Sequence, residues 1–249
     1  MVDFLCTLDG HPATFCEYGE PDYGIPCATV RLAGPVDIAV GAHVDLVING
    51  MTIKSTVIRG GVRLGRGSYR LVAGAGGWRS PLLARPFRKT SGVKLSAVLQ
   101  DAARSVEEEF YGPIVVPASE ERSLGEYEVT EGATAARVVN SLVGGRYHVG
   151  RDGVTRVGLR PSGLVPAGFV VLGDPDAAHG RAHVIAHNPG SIVPGLSIDV
   201  GLSQPLHVAT AIHTVDDSKS TILVMSRSPQ GYIEDIIDEA RPDDVYGLA

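Results

Sequence analysis

The sequence predicts a mainly β protein with an inserted region of α-helices and strands. Short runs rich in valine, isoleucine and threonine recur in both outer parts of the chain, each bounded by glycine, proline or asparagine. Thirty-one of the 249 residues are glycine and only 6% are aromatic, as expected where many short strands are joined by tight turns. Two stretches with helical periodicity lie between the β regions.

Residues 1–88 are predicted to form a first β-barrel-like tube domain. The dipeptides Asp9-Gly10 and Asn49-Gly50 predict hairpin turns, the second because both of its positions tolerate positive φ. Gly60-Gly61 and residues 65–67 predict a further turn. Such a meander closes most easily as a small barrel or sandwich. Its strands are expected at residues 2–8, 29–32, 44–48, 51–58 and 68–72.

Residues 89–160 are predicted to form a small α/β insert. Apolar side chains at helical spacing indicate a helix over residues 93–110 and a second over residues 132–143, the latter capped by Thr130 and stopped by Gly144-Gly145. Asp152-Gly153 predicts a hairpin after the second helix.

Residues 161–228 are predicted to form a second β-barrel-like tube domain, and residues 229–249 a C-terminal helix and tail. Residues 161–166 are interpreted as a linker. Over residues 232–240, isoleucines face one side and carboxylates the rest, so a short acidic helix is expected. This helix is predicted to dock on a partner, although packing on its own subunit stays open. Strands of the second region are expected at residues 169–172, 183–187, 197–200, 207–213 and 220–225.

The bulk composition narrows the class of function. Hydrophobic residues make up 44% of the chain and charged residues 20%, which suits a folded soluble protein. The formal net charge of −6 argues against a nucleic-acid-binding face, and the basic residues between 59 and 89 are interpreted as a solvated rim. Neither a signal peptide nor an apolar run long enough to cross a bilayer is expected, so membrane insertion is not predicted.

The three cysteines, Cys6, Cys16 and Cys27, fit no metal-binding spacing. Free thiols in a reducing compartment are expected. A bridge between Cys6 and Cys16 stays open if two strands bring them together.

His179, His183 and His187 recur every fourth residue, which places side chains on one face of a strand and forms a stripe on a helix. Three histidines are a potential zinc ligand set. Gly180 and Pro189 interrupt any single regular element here, so the histidines are interpreted as β-surface residues near a subunit contact. No metal and no cofactor are predicted.

Motifs for catalysis are incomplete throughout the sequence. There is no Gly-x-Ser-x-Gly elbow and no Walker motif. The glycines at 74–77 follow a predicted strand, yet Trp78 and Pro81 come next rather than a helix, so a dinucleotide loop is rejected. Consecutive carboxylates at 107–109 point in different directions on a helix. The chain is therefore predicted not to be an enzyme.

The order of these elements carries a family resemblance. The stretches that carry it are residues 49–61 around the Asn49-Gly50 turn, residues 69–78 with 83–87, residues 93–103 followed by the helix ending at Leu142 and the Asp152-Gly153 hairpin, and residues 193–195 with 209–216 and 220–222. In this order the chain resembles the baseplate hub proteins of phage tails, in particular the Mu-like branch.

The resemblance implies a structural subunit that assembles in the host cytoplasm and resides in the tail baseplate of the virion. Such hubs are ring-forming homotrimers in which two similar barrels per subunit give pseudo-sixfold symmetry. The implied partners are a tail tube protein, a spike or tail-tip protein and other baseplate proteins, around a channel that passes DNA without sequence-specific binding. Two alternatives stay open: a tail-associated cell-wall hydrolase, and the hub of a non-viral contractile injection system.

Overall fold

The computed structural model describes residues 5–108, 112–130, 132–216 and 219–226, and it is mainly β, as predicted. The first β region contains β1 (Cys6–Leu8), β2 (His11–Pro21), β3 (Cys27–Leu32), β4 (His43–Ile48), β5 (Met51–Arg63) and β6 (Arg66–Ala73). The insert contains β7 (Arg85–Lys94), α1 (Leu95–Ser105), β8 (Ser123–Val129), α2 (Ala135–Val143), β9 (Tyr147–Val149) and β10 (Thr155–Val157). The second β region contains β11 (Phe169–Asp176), β12 (Arg181–Ala186), β13 (Ser197–Ile198), β14 (Leu206–His207), β15 (Thr210–Asp216) and β16 (Lys219–Met225).

The first six strands close into an antiparallel barrel. Their order around the barrel is β1-β4-β5-β6-β3-β2, and pairing of Thr7 with Pro12 joins β1 back to β2. Alternate residues of each strand point inward; Leu46, Ile48 and Ile53 are fully buried, for example. The barrel-like fold predicted for the first region is therefore confirmed.

The long strand β2 belongs to both β regions. Its first residues pair with β1, whereas residues 15–21 pair with β15, so the sheet leaves the barrel and continues as β15-β16-β12-β11. This second part has a hydrophobic core of its own, which includes Val184, Ile198 and Val224. Among the described strands this part stays an open sheet, and the closed barrel predicted for it is not confirmed.

The glycine pair at 60–61 lies inside a strand rather than in the predicted turn. Gly60 pairs with Tyr69 and Gly61 with Ser68, and the chain reverses later, at Leu64-Gly65. A Cβ at position 60 would lie 2.6 Å from the Tyr69 ring, so glycine is needed there for close approach and not for a turn. The two hairpin dipeptides were predicted correctly: Asn49-Gly50 has φ of 48° and 81°, and Asp9-Gly10 has 50° and 80°.

The insert has shorter helices than predicted. Val93 lies in β7, so α1 begins at Leu95, and Phe110 lies outside the described residues. The cap of α2 is Thr134 rather than Thr130, because its hydroxyl accepts the Arg137 N–H at 3.3 Å. The predicted domain boundary between residues 88 and 89 falls inside β7, which pairs with β8. The division into four domains stays a prediction.

Trp78 joins the barrel to the insert. Its side chain is fully buried in the core that both regions share, and its indole N–H donates to Thr155 Oγ1 at 2.8 Å. Gly77 lies against the end of α1, where a Cβ would come within 1.8 Å of the Val106 carbonyl oxygen. The barrel and the insert are therefore packed as one body around residues 77–78.

Candidate subunit interface

The strand β11 is the open edge of the large sheet. The barrel has no free edge because its six strands close, and in the described residues β11 pairs only with β12. Its second half is protected by Asp174, Pro175 and Asp176, a composition typical of edges that avoid pairing. Residues 169–172 are left with backbone groups directed towards solvent.

The outer face beside this edge is apolar. Val170 lies opposite Ile185, and Leu172 lies opposite His183, so all four side chains share one face of the sheet. Val170 is 64% exposed, Ile185 46% and Leu172 39%. The alternate residues of β11 point the other way and pack on the second core. An open backbone edge next to an exposed apolar face is a surface suited to contact with another chain.

The three histidines weighed as zinc ligands lie in different settings. His179 is in the turn between β11 and β12, where its Nδ1 lies 2.6 Å from Asp176 Oδ2. His183 is on the outer face of β12, and His187 follows the end of that strand. Four residues of extended chain span about 13 Å, so His183 and His187 are too far apart to bind one ion. The described residues contain no group of three potential metal ligands.

The second β region is attached to the barrel by a buried ionic cluster. Glu20, at the end of β2, accepts the Nε–H of Arg151 at 2.9 Å and an N–H of Arg160 at 3.2 Å. Arg151 also donates to the carbonyl oxygens of Gly190 and Ile192. Burial alone would raise the pKa of Glu20, but the charges of the two arginines outweigh it and hold this pKa below its ordinary value. The cluster therefore holds three segments together: β2, the β9–β10 hairpin and the loop after β12.

Two buried histidines border this cluster and stay neutral. Burial, followed by the charge of Arg151, lowers the pKa of His213 to about 4. Burial and the charge of Arg160 lower the pKa of His148 to about 4 as well. Neither imidazole carries a charge near neutral pH, so neither offsets the negative charge of Glu20.

The cysteines are free and buried, as expected of the three thiols. Cys6 and Cys16 are close enough for their thiols to hydrogen-bond, and this contact, followed by burial, raises the pKa of Cys16 well above its ordinary value. A thiol with a raised pKa has little thiolate at neutral pH, so Cys16 is a poor nucleophile.

Glu108 occupies the glycine loop after β6. Its carboxylate accepts the Trp78 N–H at 3.1 Å, and the N–H groups of residues 75–77 also favour its ionised form. Burial outweighs these N–H groups and raises the pKa of Glu108 to about 7. The loop rejected as a dinucleotide site is thus filled by a side chain of the protein itself.

An open cavity of about 540 Å³ lies beside this loop and includes His43, Thr56 and Arg79 in its lining. His43 Nδ1 lies 2.9 Å from Thr56 Oγ1, a spacing seen in base–nucleophile pairs. However, Thr56 Oγ1 donates its hydrogen to the Gly74 carbonyl oxygen at 2.7 Å. The histidine must then donate to the hydroxyl, and it cannot act as its base in this arrangement.

No helix in the described residues is both long and apolar enough to cross a membrane. No protein-family model matches the sequence, and no curated protein matches it.

Solved structures with the same fold come from phage tails and a secretion system. The tail protein from Neisseria meningitidis MC58 matches with a TM-score of 0.61 at 13% identity, over 90% of this chain and 96% of that one. The 43 kDa tail protein of prophage MuSo2 from Shewanella oneidensis has a TM-score of 0.62 at 10% identity, over 88% and 95%. The E. coli c3393 protein, a type VI secretion component with structural similarity to the T4 tail proteins gp27 and gp5, has a TM-score of 0.63 at 10% identity, over 88% and 75%. The predicted resemblance to phage tail proteins is confirmed at the level of the fold.

Proposed function

We propose that the chain is a structural hub subunit of a phage tail baseplate, three copies of which form a ring that joins the tail tube to the central spike and lines the DNA channel. The observation that carries the proposal is the open β11 edge with its exposed apolar face, on a fold shared with two phage tail proteins. A ring requires head-to-tail contacts that close, and an open strand edge can pair with a different surface of a neighbour.

The proposed mechanism is assembly rather than turnover. Each chain has two β units, the barrel and the extension of the same sheet. Three chains therefore present six β units towards a sixfold tube, while the ring keeps threefold symmetry towards a spike. The acidic net charge of −6 favours a channel wall that does not retain DNA by its phosphates. The proposed location is the virion tail, after assembly in the host cytoplasm.

The matching type VI secretion component supports a second candidate, the hub of a non-viral contractile injection system, with the same assembly chemistry. Genomic neighbours that encode capsid proteins would favour the phage. A cell-wall hydrolase is disfavoured, because His43 cannot act as a base for Thr56 and the described residues contain no group of three potential metal ligands. Release of soluble fragments from purified cell wall by the wild-type chain would contradict the non-enzymatic proposal.

The interface is tested by measuring mass in solution, alone and with candidate tube and spike proteins. The wild-type chain is expected to form a trimer, at the latest when a partner is added. The double substitution Val170→Lys/Ile185→Lys should weaken the trimer at least about tenfold, because two charges would have to be buried in the contact. Leu159→Lys is the matched control, since Leu159 is 74% exposed and lies outside the β11–β12 face. A wild-type chain that stays monomeric with both partners contradicts the proposal.

A further inference from the structure

Four arginines line one face of the ribbon formed by β5 and β6. Between residues 59 and 70 the sequence contains Arg59, Arg63, Arg66 and Arg70 and no acidic residue. In the ribbon Arg59 lies directly opposite Arg70, and Arg63 lies directly opposite Arg66. Residues paired in this way share a face, and positions 59 and 63 are four apart on one strand, so all four side chains point to the same side. The exposure of Arg59, Arg63 and Arg66 agrees with the solvated rim expected from the sequence, and the strand pairing adds that the arginines share one face.

Like charges directly opposite each other destabilise a pair of strands. Arg59, Arg63 and Arg66 are exposed, and among the described residues none of them makes an ion pair. Arg70 extends the positive charge towards Arg79. The arrangement therefore has an electrostatic cost in the isolated chain that an acidic partner would relieve.

The opposite face of the ribbon is fixed to the barrel. The Tyr69 ring fills the space where side chains at positions 60 and 67 would lie, which explains glycine at both. The Tyr69 hydroxyl donates to the Val36 carbonyl oxygen and accepts the Ile38 N–H. The arginine face is held in place by these contacts, so binding a partner there does not require the strands to be ordered first.

The tip of the ribbon favours a protein partner over a nucleic acid. Leu64, at the tip between two of the arginines, is 96% exposed. Binding to phosphates alone requires basic side chains and makes no use of apolar ones, whereas arginine next to an apolar anchor is typical of protein interfaces. The chemistry fits an acidic segment with interspersed apolar residues.

The C-terminal segment of this chain has that composition. Residues 233–244 contain six carboxylates, three isoleucines and one arginine, and they lie outside the described residues. Some exposed or half-exposed carboxylates in the described residues, such as Asp45 and Glu126, already pair with basic side chains. We propose that the arginine face of the β5–β6 ribbon binds the acidic C-terminal segment, residues 233–244, of a second copy of the chain.

The strand pairings favour a contact between copies. Ser68, near the base of the ribbon, pairs with Arg31, which pairs with Phe15 of β2. Met225, at the end of β16, pairs with Thr210, which pairs with Pro21. Positions 15 and 21 of β2 are about 20 Å apart, so the chain leaves the sheet at the end opposite to the ribbon. In a head-to-tail arrangement the C-terminal end of one copy meets the ribbon of the next.

A charge-swap experiment on the full-length chain tests the proposal by sedimentation velocity. The wild-type chain is expected to self-associate with concentration, and raising the salt should weaken the association because it screens exposed charges. Arg63→Glu/Arg66→Glu and Asp235→Lys/Glu239→Lys should each weaken it about tenfold, and the combination of all four substitutions should restore it. Lys89→Glu/Arg137→Glu makes the same change in net charge elsewhere on the surface and should have no effect.

Three results would overturn the proposal. In the first, the combined variant fails to regain association. In the second, the ribbon variant changes the compactness of the monomer but not its self-association, which would mean that the ribbon binds residues 233–244 of the same copy. In the third, the ribbon variant loses binding to a short DNA duplex while self-association is unchanged, which assigns the face to nucleic acid. The trimer proposed above depends on the β11 face, so Val170→Lys/Ile185→Lys measured in parallel separates failure of one proposal from failure of the other.

Discussion

Glu108 and Glu20 are both buried carboxylates, yet their surroundings have opposite effects on charge. Glu20 has two guanidinium partners, which keep it ionised. Glu108 is stabilised as an ion by backbone N–H groups rather than by a guanidinium, so burial dominates and the carboxyl group takes up a proton near neutral pH. Glu20 therefore stabilises the fold in its ionised form, and Glu108 stabilises it in its protonated form.

Glu108→Gln should stabilise the chain at high pH. The pKa of Glu108 is raised from 4.5 to about 7, so its contribution to the free energy of unfolding is fully present below pH 4.5 and is lost as the pH rises through 7. At pH 8 the neutral amide should increase this free energy by up to about 3 kcal/mol, and at pH 4 the difference should vanish. Urea unfolding at both pH values measures it, with Glu126→Gln on the exposed β8 as control. An equal effect at pH 4 and pH 8 would show that titration of Glu108 is not the cause.

Glu20→Gln should destabilise the chain by about 3–5 kcal/mol, because it removes the counter-ion of the largely buried Arg151 and leaves the buried Arg160 with Asp22, at 3.7 Å, as its remaining carboxylate partner. Lys54→Met is the control: the Lys54–Asp45 pair is more than two-fifths exposed on both sides, so its loss should cost at most about 1 kcal/mol. Chemical denaturation at pH 7 compares the two. Equal losses for the two variants would mean that the cluster does not hold the second β region to the barrel.

Elements with a strong local pattern were predicted correctly, and elements determined by distant contacts were not. Strands β4 and β16, the first part of β5 and the Asn49-Gly50 turn follow from alternation and turn chemistry, whereas the extension of β5 to Arg63 does not. Strand β2 was missed because Pro12, Gly19 and Pro21 are poor strand formers, and pairing with β1, β3 and β15 overrides that preference. No periodic signal could have shown that this strand joins the two β regions. The open β11 edge was equally hidden, because an edge is defined by which strands pair.

Gly77→Ala should separate the insert from the barrel. The added methyl group would lie 1.8 Å from the Val106 carbonyl oxygen, and that backbone oxygen cannot move without displacing the end of α1. The free energy of unfolding should fall by at least about 2 kcal/mol. Denaturant unfolding followed by the fluorescence of Trp78 should show this as a lower midpoint. Gly34→Ala is the control, since nothing lies within 4 Å of a Cβ there and its φ is not in the left-handed region. If Gly77→Ala lowers the free energy of unfolding no more than Gly34→Ala does, Gly77 is not closely packed against Val106.

In the whole molecule, the two β regions cannot rotate freely relative to each other, because β2 belongs to both. They share one hydrogen-bonded strand, and the Glu20 cluster closes the other side of the junction. A subunit built in this way offers two unequal β units at a fixed mutual angle, one a closed barrel and one an open sheet. Fixed geometry suits a ring, because closure depends on a repeated angle between neighbours.

The assembled particle should therefore contain three copies of this chain around the tail axis. In the proposed ring each copy would span two of six positions, because its barrel and its open sheet share the strand β2 and move as one unit. The β11 edge of one copy would then meet its neighbour. A reconstruction of the particle by electron microscopy without imposed symmetry should show threefold symmetry at this ring, with two alternating kinds of β unit. Six identical copies would refute the argument, since the barrel and the sheet would then occupy twelve positions rather than six. A single copy would refute it too, because an open edge with Val170 and Ile185 exposed beside it would stay uncovered in the finished assembly.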